Sequence, residues 1–407
     1  MPVDVAAPST QLLRRVNAGV ILRVLRGAGV MTGTELMAAS GLTRATVISV
    51  ANDLVAMGWV REVEAQRQGE DRTKGRPARR FSLLPRAAHV VGVALEYGHI
   101  TVVLSDLLGE IRARAVVPGP AGSFEETVGH SEAWGAALLQ GVRQVLHDGG
   151  IRESDVLAAT IGVPAPVGPA GEVSSAQLFW RSFDVRGTLA TRYAWHIEVE
   201  NDANLAVVAE RWRGAGEGID DLVVLLAGER LGTGVIEGGR LLRGRDGGFG
   251  ELGFLDRVEA VGDTLGINPT ASAWGRKTLS GGAPFLNELC EGDPERLTPE
   301  MILTAAADGD AAARDIAARL ADRMAIIVAI ISTFANPSVV VLDGGTAGAA
   351  EALLPAIAQR LPQLTSTPPR LATSSLEGMN VELGAVRRAL DYVEDNALDL
   401  TLPPASA

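Results

Sequence analysis

The chain has 407 residues, of which 47% are hydrophobic, 21% charged and only 4% aromatic. That length exceeds what one core organises and that composition can bury apolar surface throughout, so a small module and a largely disordered chain are both excluded. The net charge is −12, and the single cysteine, Cys290, excludes an internal disulfide framework and any Cys-x-x-Cys zinc site.

The N-terminus lacks the basic, apolar and small-residue order of a signal peptide, which with the lone cysteine places the chain in a reducing cytoplasm. From Gln11 to Gly27, apolar Leu12, Leu13, Val16, Val20, Ile21, Val24 and Leu25 recur at helical spacing, and Gly27-Ala28-Gly29 ends that helix. Thr32 or Thr34 caps a second helix that runs through Leu36, Met37 and Ala38 to Ser40-Gly41. Thr43 caps a third, whose apolar face is Val47, Val50, Ala51, Leu54 and Val55. Two short helices joined at Gly41 make a helix-turn-helix, whose second helix can enter a DNA major groove. Trp59-Val60 and Phe81 to Leu84 read as two short strands, with the polar stretch Arg61 to Arg80 as the wing between them.

Charge supports a nucleic-acid partner for this module. Residues 1–87 hold 13 Lys+Arg against 7 Asp+Glu, whereas the rest of the chain holds 24 against 42. A basic module on an acidic body is a footprint of a DNA-binding regulator, although a solvated face or a protein-interaction cap has the same pattern. The third helix offers Thr43, Arg44, Thr46, Ser49 and Asn52 on its polar face. Arginine pairs with guanine edges and asparagine with adenine, while hydroxyls serve bases or phosphates. In the wing, Lys74, Arg76 and Arg79 lie in the basic run Arg72 to Arg80, and Gly75-Arg76-Pro77 presents an extended arginine suited to a minor groove.

Beyond residue 87, strands and helices alternate. His89 to Leu95 and Ile100 to Asp106 read as a hairpin turning at Gly98, and Leu157 to Val163 as a strand running into Pro164. His196 to Glu200 delivers Asn201-Asp202-Ala203-Asn204 to a helix over Leu205 to Arg213. Strands Asp221 to Ala227 and Gly234 to Glu237 bracket the loop from Gly228 to Gly234. The longest apolar run, Met324 to Ile331, falls short of the roughly 18 residues a membrane span needs. It belongs to a long buried helix over about Ala311 to Thr333, before a strand Ser338 to Leu342 that ends at Asp343-Gly344-Gly345. Polar signals at strand ends describe an α/β protein with a cleft and no membrane segment.

These residues resemble the ROK family (repressor, open reading frame, kinase), and in particular its transcriptional regulators. The resemblance rests on the Gly-Leu-Thr-x-x-Thr-Val and Gly-Arg-Pro segments of the winged helix, Ile161-Gly162-Val163-Pro164, and Glu200-Asn201-Asp202-Ala203-Asn204. It continues through Gly232-Thr233-Gly234, Gly250-Glu251-Leu252-Gly253, Asn336-Pro337, Gly344-Gly345 and Gly384-Ala385. The resemblance implies an α/β fold with an N-terminal winged helix-turn-helix and a two-lobed, actin-like ATPase (ribonuclease H-like) body. In kinase members that body phosphorylates a sugar hydroxyl with ATP. The expected division is a DNA-binding domain over 1–87, a first lobe over 88–200 completed by a C-terminal helix at about 378–395, a second lobe over 201–377 and a tail over 396–407.

Departures from the family pattern bear on function. Kinase members carry roughly Gly-x-Asp-x-Gly-Gly-Thr-Lys in the first hairpin, where this chain has Gly92-Val93-Ala94-Leu95-Glu96-Tyr97-Gly98-His99. Ala94 stands for the aspartate, and Glu96 puts a carboxylate and a side chain where a triphosphate would approach the backbone, so phosphoryl transfer is not expected. Gly232-Thr233-Gly234 and Asp343-Gly344-Gly345 are either residual nucleotide contacts or plain tight turns. Asp202 matches the kinases' general base and, with Asn201 and Glu251, is expected to hydrogen-bond sugar hydroxyls, although Asn-Asp before a helix is also an ordinary N-cap. The family's histidine after Glu-x-Gly is Phe254, and Leu255 to Trp274 contains neither Cys nor His, so no structural zinc and no cofactor are expected. Phe254 and Trp180 are candidates to stack on a sugar or to pack in the core. Ile48-Ser49 replaces the Ser-Arg common in such regulators, and Ile48 either touches a thymine methyl or packs.

The expected partners are double-stranded operator DNA, a sugar or sugar derivative, and further copies of the chain in a dimer or tetramer. The expected function is sugar-responsive repression. An ATP-dependent sugar kinase that also binds DNA and a regulator answering to a protein partner are the alternatives.

Overall fold

The computed structural model describes residues 10–63, 79–120, 126–173, 178–344 and 349–403. The chain begins with α1 (Thr10–Ala28), β1 (Met31–Thr32), α2 (Gly33–Ser40), α3 (Arg44–Ala56), β2 (Val60–Val63) and β3 (Arg80–Leu83). Local rules explain this module. Thr32 caps α2, accepting from the Glu35 amide while Glu35 reaches back to the Thr32 amide, and Gly41 closes the helix in the left-handed region at φ 70°. Ile21, Leu25, Leu36, Val47, Leu54, Trp59 and Phe81 form its buried centre. The sequence does not reveal β1, whose two residues pair with β3 to give an antiparallel sheet of order β1-β3-β2.

There follow β4 (His89–Glu96), β5 (His99–Asp106), β6 (Ile111–Pro118), α4 (Ser131–Gly149), β7 (Val156–Val163), α5 (Leu178–Ser182), α6 (Val185–Ala190), β8 (His196–Asn201) and α7 (Asp202–Arg213). Next come β9 (Leu222–Leu226), β10 (Gly232–Glu237), β11 (Arg240–Leu241), α8 (Ile267–Ser280), α9 (Pro284–Leu289), α10 (Pro299–Asp308) and α11 (Ala311–Ala335). The chain ends with β12 (Val339–Asp343), α12 (Ala349–Arg360), β13 (Arg370–Thr373) and α13 (Asn380–Asp395).

Two five-stranded sheets share one strand order. The first runs β6-β5-β4-β7-β8 and the second β11-β10-β9-β12-β13, so each has its own strands in the order third, second, first, fourth, fifth. In both, the first three strands are antiparallel neighbours; in the second, β9, β12 and β13 are parallel. This repeated α/β plan is that of an actin-like body. The apolar run of α11 is buried as expected, with Leu320, Met324 and Ile327 in the same core cluster as Val223, Leu225, Val340 and Leu342. Among the described residues no helix is long and apolar enough to cross a membrane.

The chain forms two compact units, one of residues 1–161, 182–198 and 385–407, the other of 162–181 and 199–384. Placing 162–181 in the second unit departs from an expected lobe boundary at residue 200. Contacts tie this segment to the second unit: Asn201 Nδ2 donates to the Ala165 carbonyl at 3.2 Å, and a Cβ at Gly247 would collide with the Val167 carbonyl.

Within the first unit, α1 is fastened to the end of α13. Arg26 Nε lies 3.3 Å from Glu394, Arg23 Nη1 lies 3.0 Å from Asp395, and Arg15 pairs with Asp399. Gly19 makes the approach feasible, since a Cβ there would stand 3.1 Å from the Glu394 carbonyl oxygen. Burial pushes the Glu394 carboxyl up to about 7, with Asp391 adding to the rise and Arg387 and Arg23 opposing it. Because the folded value lies above the ordinary 4.5, this group's contribution to stability is complete below about 4.5 and is lost as the pH rises through about 7. The melting temperature should therefore fall over that window, and Glu394→Gln should flatten the fall. Equal slopes in the two proteins would refute the assignment.

Candidate functional site

The DNA-facing candidates lie on α3 and the wing. Thr43 is the N-cap of α3: its hydroxyl accepts from the Thr46 amide at 3.3 Å and lies 2.9 Å from the Thr46 hydroxyl. Those two threonines thus set where the helix begins. Arg44, Ser49 and Asn52 are exposed along one side, while Val47, Val50, Ala51 and Leu54 are buried on the other. Ile48 is half-buried, its Cδ1 reaching the start of α2 at Gly33, which favours packing over a thymine contact. At the wing base, Arg79 donates to Asn52 Oδ1 at 2.8 Å, pairs with Glu62 at 2.8 Å and lies over the Phe81 ring. Asn52 and Arg79 are therefore brought together, each occupying the other. Lys74 and Arg76 lie outside the described residues.

The ligand-site candidates gather in the second unit around β10. Asn201 caps α7: its Oδ1 accepts from the Asn204 amide at 3.0 Å and its amide nitrogen holds Ala165, so both ends of this buried side chain are engaged in the fold. The ordinary capping role applies to it. Asp202 follows at the first helical position, half-buried, with Oδ1 accepting from the Ala203 amide at 2.7 Å. Beneath them the buried carboxylate of Glu200 takes Asn204 Nδ2 at 2.9 Å and Arg243 Nε at 2.7 Å. The Arg243 pairing was not read from the sequence, and no local spacing could have revealed a partner 43 residues away.

Gly232-Thr233-Gly234 joins Asp202 to Glu251. Gly234 meets the Ala203 backbone with no room for a Cβ, and the Thr233 hydroxyl donates to the Gly250 carbonyl at 2.9 Å. Gly250, at φ 89°, turns the chain so that Glu251 follows directly. Glu251 remains exposed, yet enough protein surrounds it that desolvation raises its pKa, opposed by the charge of Arg230. Phe254 is also exposed, as a stacking residue must be, whereas Trp180 is buried edge-on against Phe179 and is a core residue.

Three backbones crowd beside this loop: a Cβ at Gly344 would stand 2.8 Å from the Gly228 nitrogen, and one at Gly266 would strike the Gly228 carbonyl. Close packing by itself requires glycine at Gly344 and Gly266, whatever else the loop contacts; Gly345 lies outside the described residues. In the first unit Ala94 is buried, and Glu96 bonds His99 Nε2 at 2.9 Å beside the turn at Gly98. Among the described residues, no three His, Cys, Asp or Glu side chains group as a metal site.

Residues 16–64 match the IclR helix-turn-helix domain. The N-acetylglucosamine repressor of Shigella flexneri is 24% identical over 395 residues, covering 94% of this chain and 91% of the repressor. A glucokinase of Thermotoga maritima is 34% identical over 185 residues, covering 43% of this chain and 58% of the kinase. Among solved structures, a ROK family transcriptional regulator, described as a homologue of the Escherichia coli Mlc protein, superposes with a TM-score of 0.74 at 20% identity over 95% of this chain and 98% of its own. Residues 90–386 match the ROK family, and the chain belongs to it.

Proposed function

We propose that the protein is a sugar-responsive, DNA-binding transcriptional repressor of carbohydrate-metabolism genes, whose kinase-like body serves as ligand sensor. The carrying observation is the exposed face of Arg44, Ser49 and Asn52 on the second helix of a helix-turn-helix that is continuous with a ROK body. It works in the cytoplasm with the DNA, as a dimer or tetramer, because a helix-turn-helix reads paired half-sites about a two-fold axis. Sugar binding at Asp202 and Glu251 then shifts operator affinity by favouring one arrangement of the body over another. Lys74 and Arg76 are assigned to the phosphates or minor groove beside the recognition helix, with Thr43, Thr46 and Arg79 orienting it. Asn201 acts by capping the helix that carries Asp202.

The experiment is fluorescence anisotropy of the full chain on DNA from upstream of its own gene, at two salt concentrations, with and without N-acetylglucosamine, glucose and xylose. Binding should be salt-sensitive and shifted by one sugar. Asp202→Asn should weaken that sugar's effect by about tenfold or more, since a site built to hydrogen-bond a hydroxyl depends on its acceptor. It should leave sugar-free DNA binding unchanged. A sugar effect of wild-type size in Asp202→Asn would remove Asp202 from the site.

Sugar phosphorylation is the second reading, favoured by the retained aspartate at 202. Ala94 supplies no carboxylate for a metal-bound triphosphate, and Glu96 repels one. ADP release with each sugar should therefore stay at the sugar-free level. Sugar-dependent ADP formation would establish the kinase instead.

A further inference from the structure

We infer that Arg323 is a positioning residue for the ligand site, holding the 261–265 loop against the segment that carries Gly232-Thr233-Gly234. The inference rests on the sugar-sensing reading of Asp202 and Glu251. Arg323 heads the apolar run of α11 and is 3% exposed. A guanidinium in such a place carries a heavy desolvation cost unless its donors are used. Nε donates to the Val261 carbonyl at 3.0 Å, while Nη2 serves the Asp263 carbonyl at 3.0 Å, its carboxylate at 2.8 Å and the Leu265 carbonyl at 2.9 Å. One planar cation thus gathers three carbonyls from five consecutive residues. Lysine, a single ammonium on a flexible stem, cannot reproduce that fork.

The loop so tied forms one side of the segment before β10. The Leu231 amide donates to the Thr264 carbonyl at 2.9 Å, Arg230 Nη2 donates to the Thr264 hydroxyl at 3.1 Å, and Arg230 bridges Leu265 in antiparallel fashion. The Gly266 amide reaches the Glu229 carbonyl at 2.9 Å. Residue 231 leads straight into Gly232-Thr233-Gly234, where Ala203 and Gly250 are held beside Asp202 and Glu251. The path from Arg323 to the two carboxylates thus runs through the guanidinium's hydrogen bonds, the Leu231–Thr264 backbone bond, the short run from Leu231 to Gly234, the Thr233 hydroxyl on Gly250 and the close approach of Gly234 to Ala203. Among the described residues Arg323 Nη1 is buried without a hydrogen-bond partner, so the side chain is committed to this loop at a cost in hydrogen bonding.

The test compares Arg323→Ala, Arg323→Lys and Leu320→Ala in the full chain. Leu320 is buried in the same helix and shares a core cluster with Val261, so its truncation removes stability while leaving the guanidinium and its hydrogen bonds to the loop in place. Titrations with N-acetylglucosamine, glucose and xylose are run where each variant is folded, alongside amide exchange. Arg323→Ala and Arg323→Lys should bind the wild type's sugar about tenfold more weakly or worse, a loss in keeping with ligand groups displaced by a fraction of an ångström. Exchange should quicken at Leu231 and Thr233 as well as at Leu265, and millimolar guanidinium should restore Arg323→Ala. Leu320→Ala should melt earlier with its sugar affinity within about twofold of wild type.

Unchanged affinity in a folded Arg323→Ala, or an equal loss in Leu320→Ala, overturns the assignment. Should neither Arg323 variant fold, Asp263→Asn and Thr264→Val carry the same readouts, with an expected several-fold loss and overturning if affinity holds. If the wild type binds none of the sugars, the sugar reading fails separately. Exchange then decides for Arg323, because quickening confined to residues 261–265 rejects it.

Discussion

Gly234→Ala is expected to destabilise the second unit by about 3 kcal/mol or more, and Gly248→Ala, in the neighbouring loop, to change stability little. The difference lies in what each added Cβ would meet. At Gly234 it would land on the carbonyl oxygen of Ala203, with the Ala203 carbonyl carbon at 2.7 Å and Val207 Cγ1 at 2.8 Å. Two of these atoms are backbone of the first turn of α7, so relief requires β10 to retreat from the helix that carries Asp202. At Gly248 nothing among the described residues lies within 4 Å. Chemical denaturation of both variants measures the contrast, and matching midpoints would mean that the approach of β10 to α7 is looser than described. A surviving fraction of Gly234→Ala should also have lost its sugar response before its DNA binding, because the winged helix belongs to the other unit.

What could be read from the sequence was mainly governed by neighbours along the chain. Thr32 with Glu35, Gly41 after α2 and Thr43 before α3 are local devices, and each sits where its residue type predicts. Asn201 belongs with them, and its capping geometry accounts for that side chain without any ligand. The hairpin of β4 and β5 and the buried run of α11 were legible by periodicity. Three features depend on pairings distant in sequence and were not legible. Arg79 folds back on Asn52, 27 residues away; Arg243 finds Glu200 across 43; Arg323 gathers a loop about 60 residues upstream. An arginine beside an apolar run reads as a flank, and only the tertiary fold shows that the guanidinium turns inward. Short edge strands such as β11 and β13 escaped for a related reason, since two to four residues carry too little pattern to stand out from a turn.

Arg44→Ala is expected to weaken operator binding by about 10- to 100-fold, the usual loss when an arginine contact to a base edge is removed, while leaving the melting temperature unchanged. Arg44 suits this test better than its neighbours on α3. Thr43 and Thr46 share the hydroxyl contact that starts the helix, so substituting either disturbs the frame along with any DNA contact, at roughly 1 kcal/mol for the cap itself. Asn52 is held by Arg79, and losing it would free a wing-base arginine that could bind phosphate in compensation. Arg44 is exposed at the first turn of α3, and arginine and alanine are both good helix formers, so truncation removes the guanidinium alone. Salt dependence separates two roles for it. A base contact predicts weaker binding with the same salt slope and relaxed preference at one operator position. A phosphate contact predicts weaker binding to all sequences and a slope lower by about 0.9. Operator affinity within about twofold of wild type would place the DNA-reading face elsewhere than on α3.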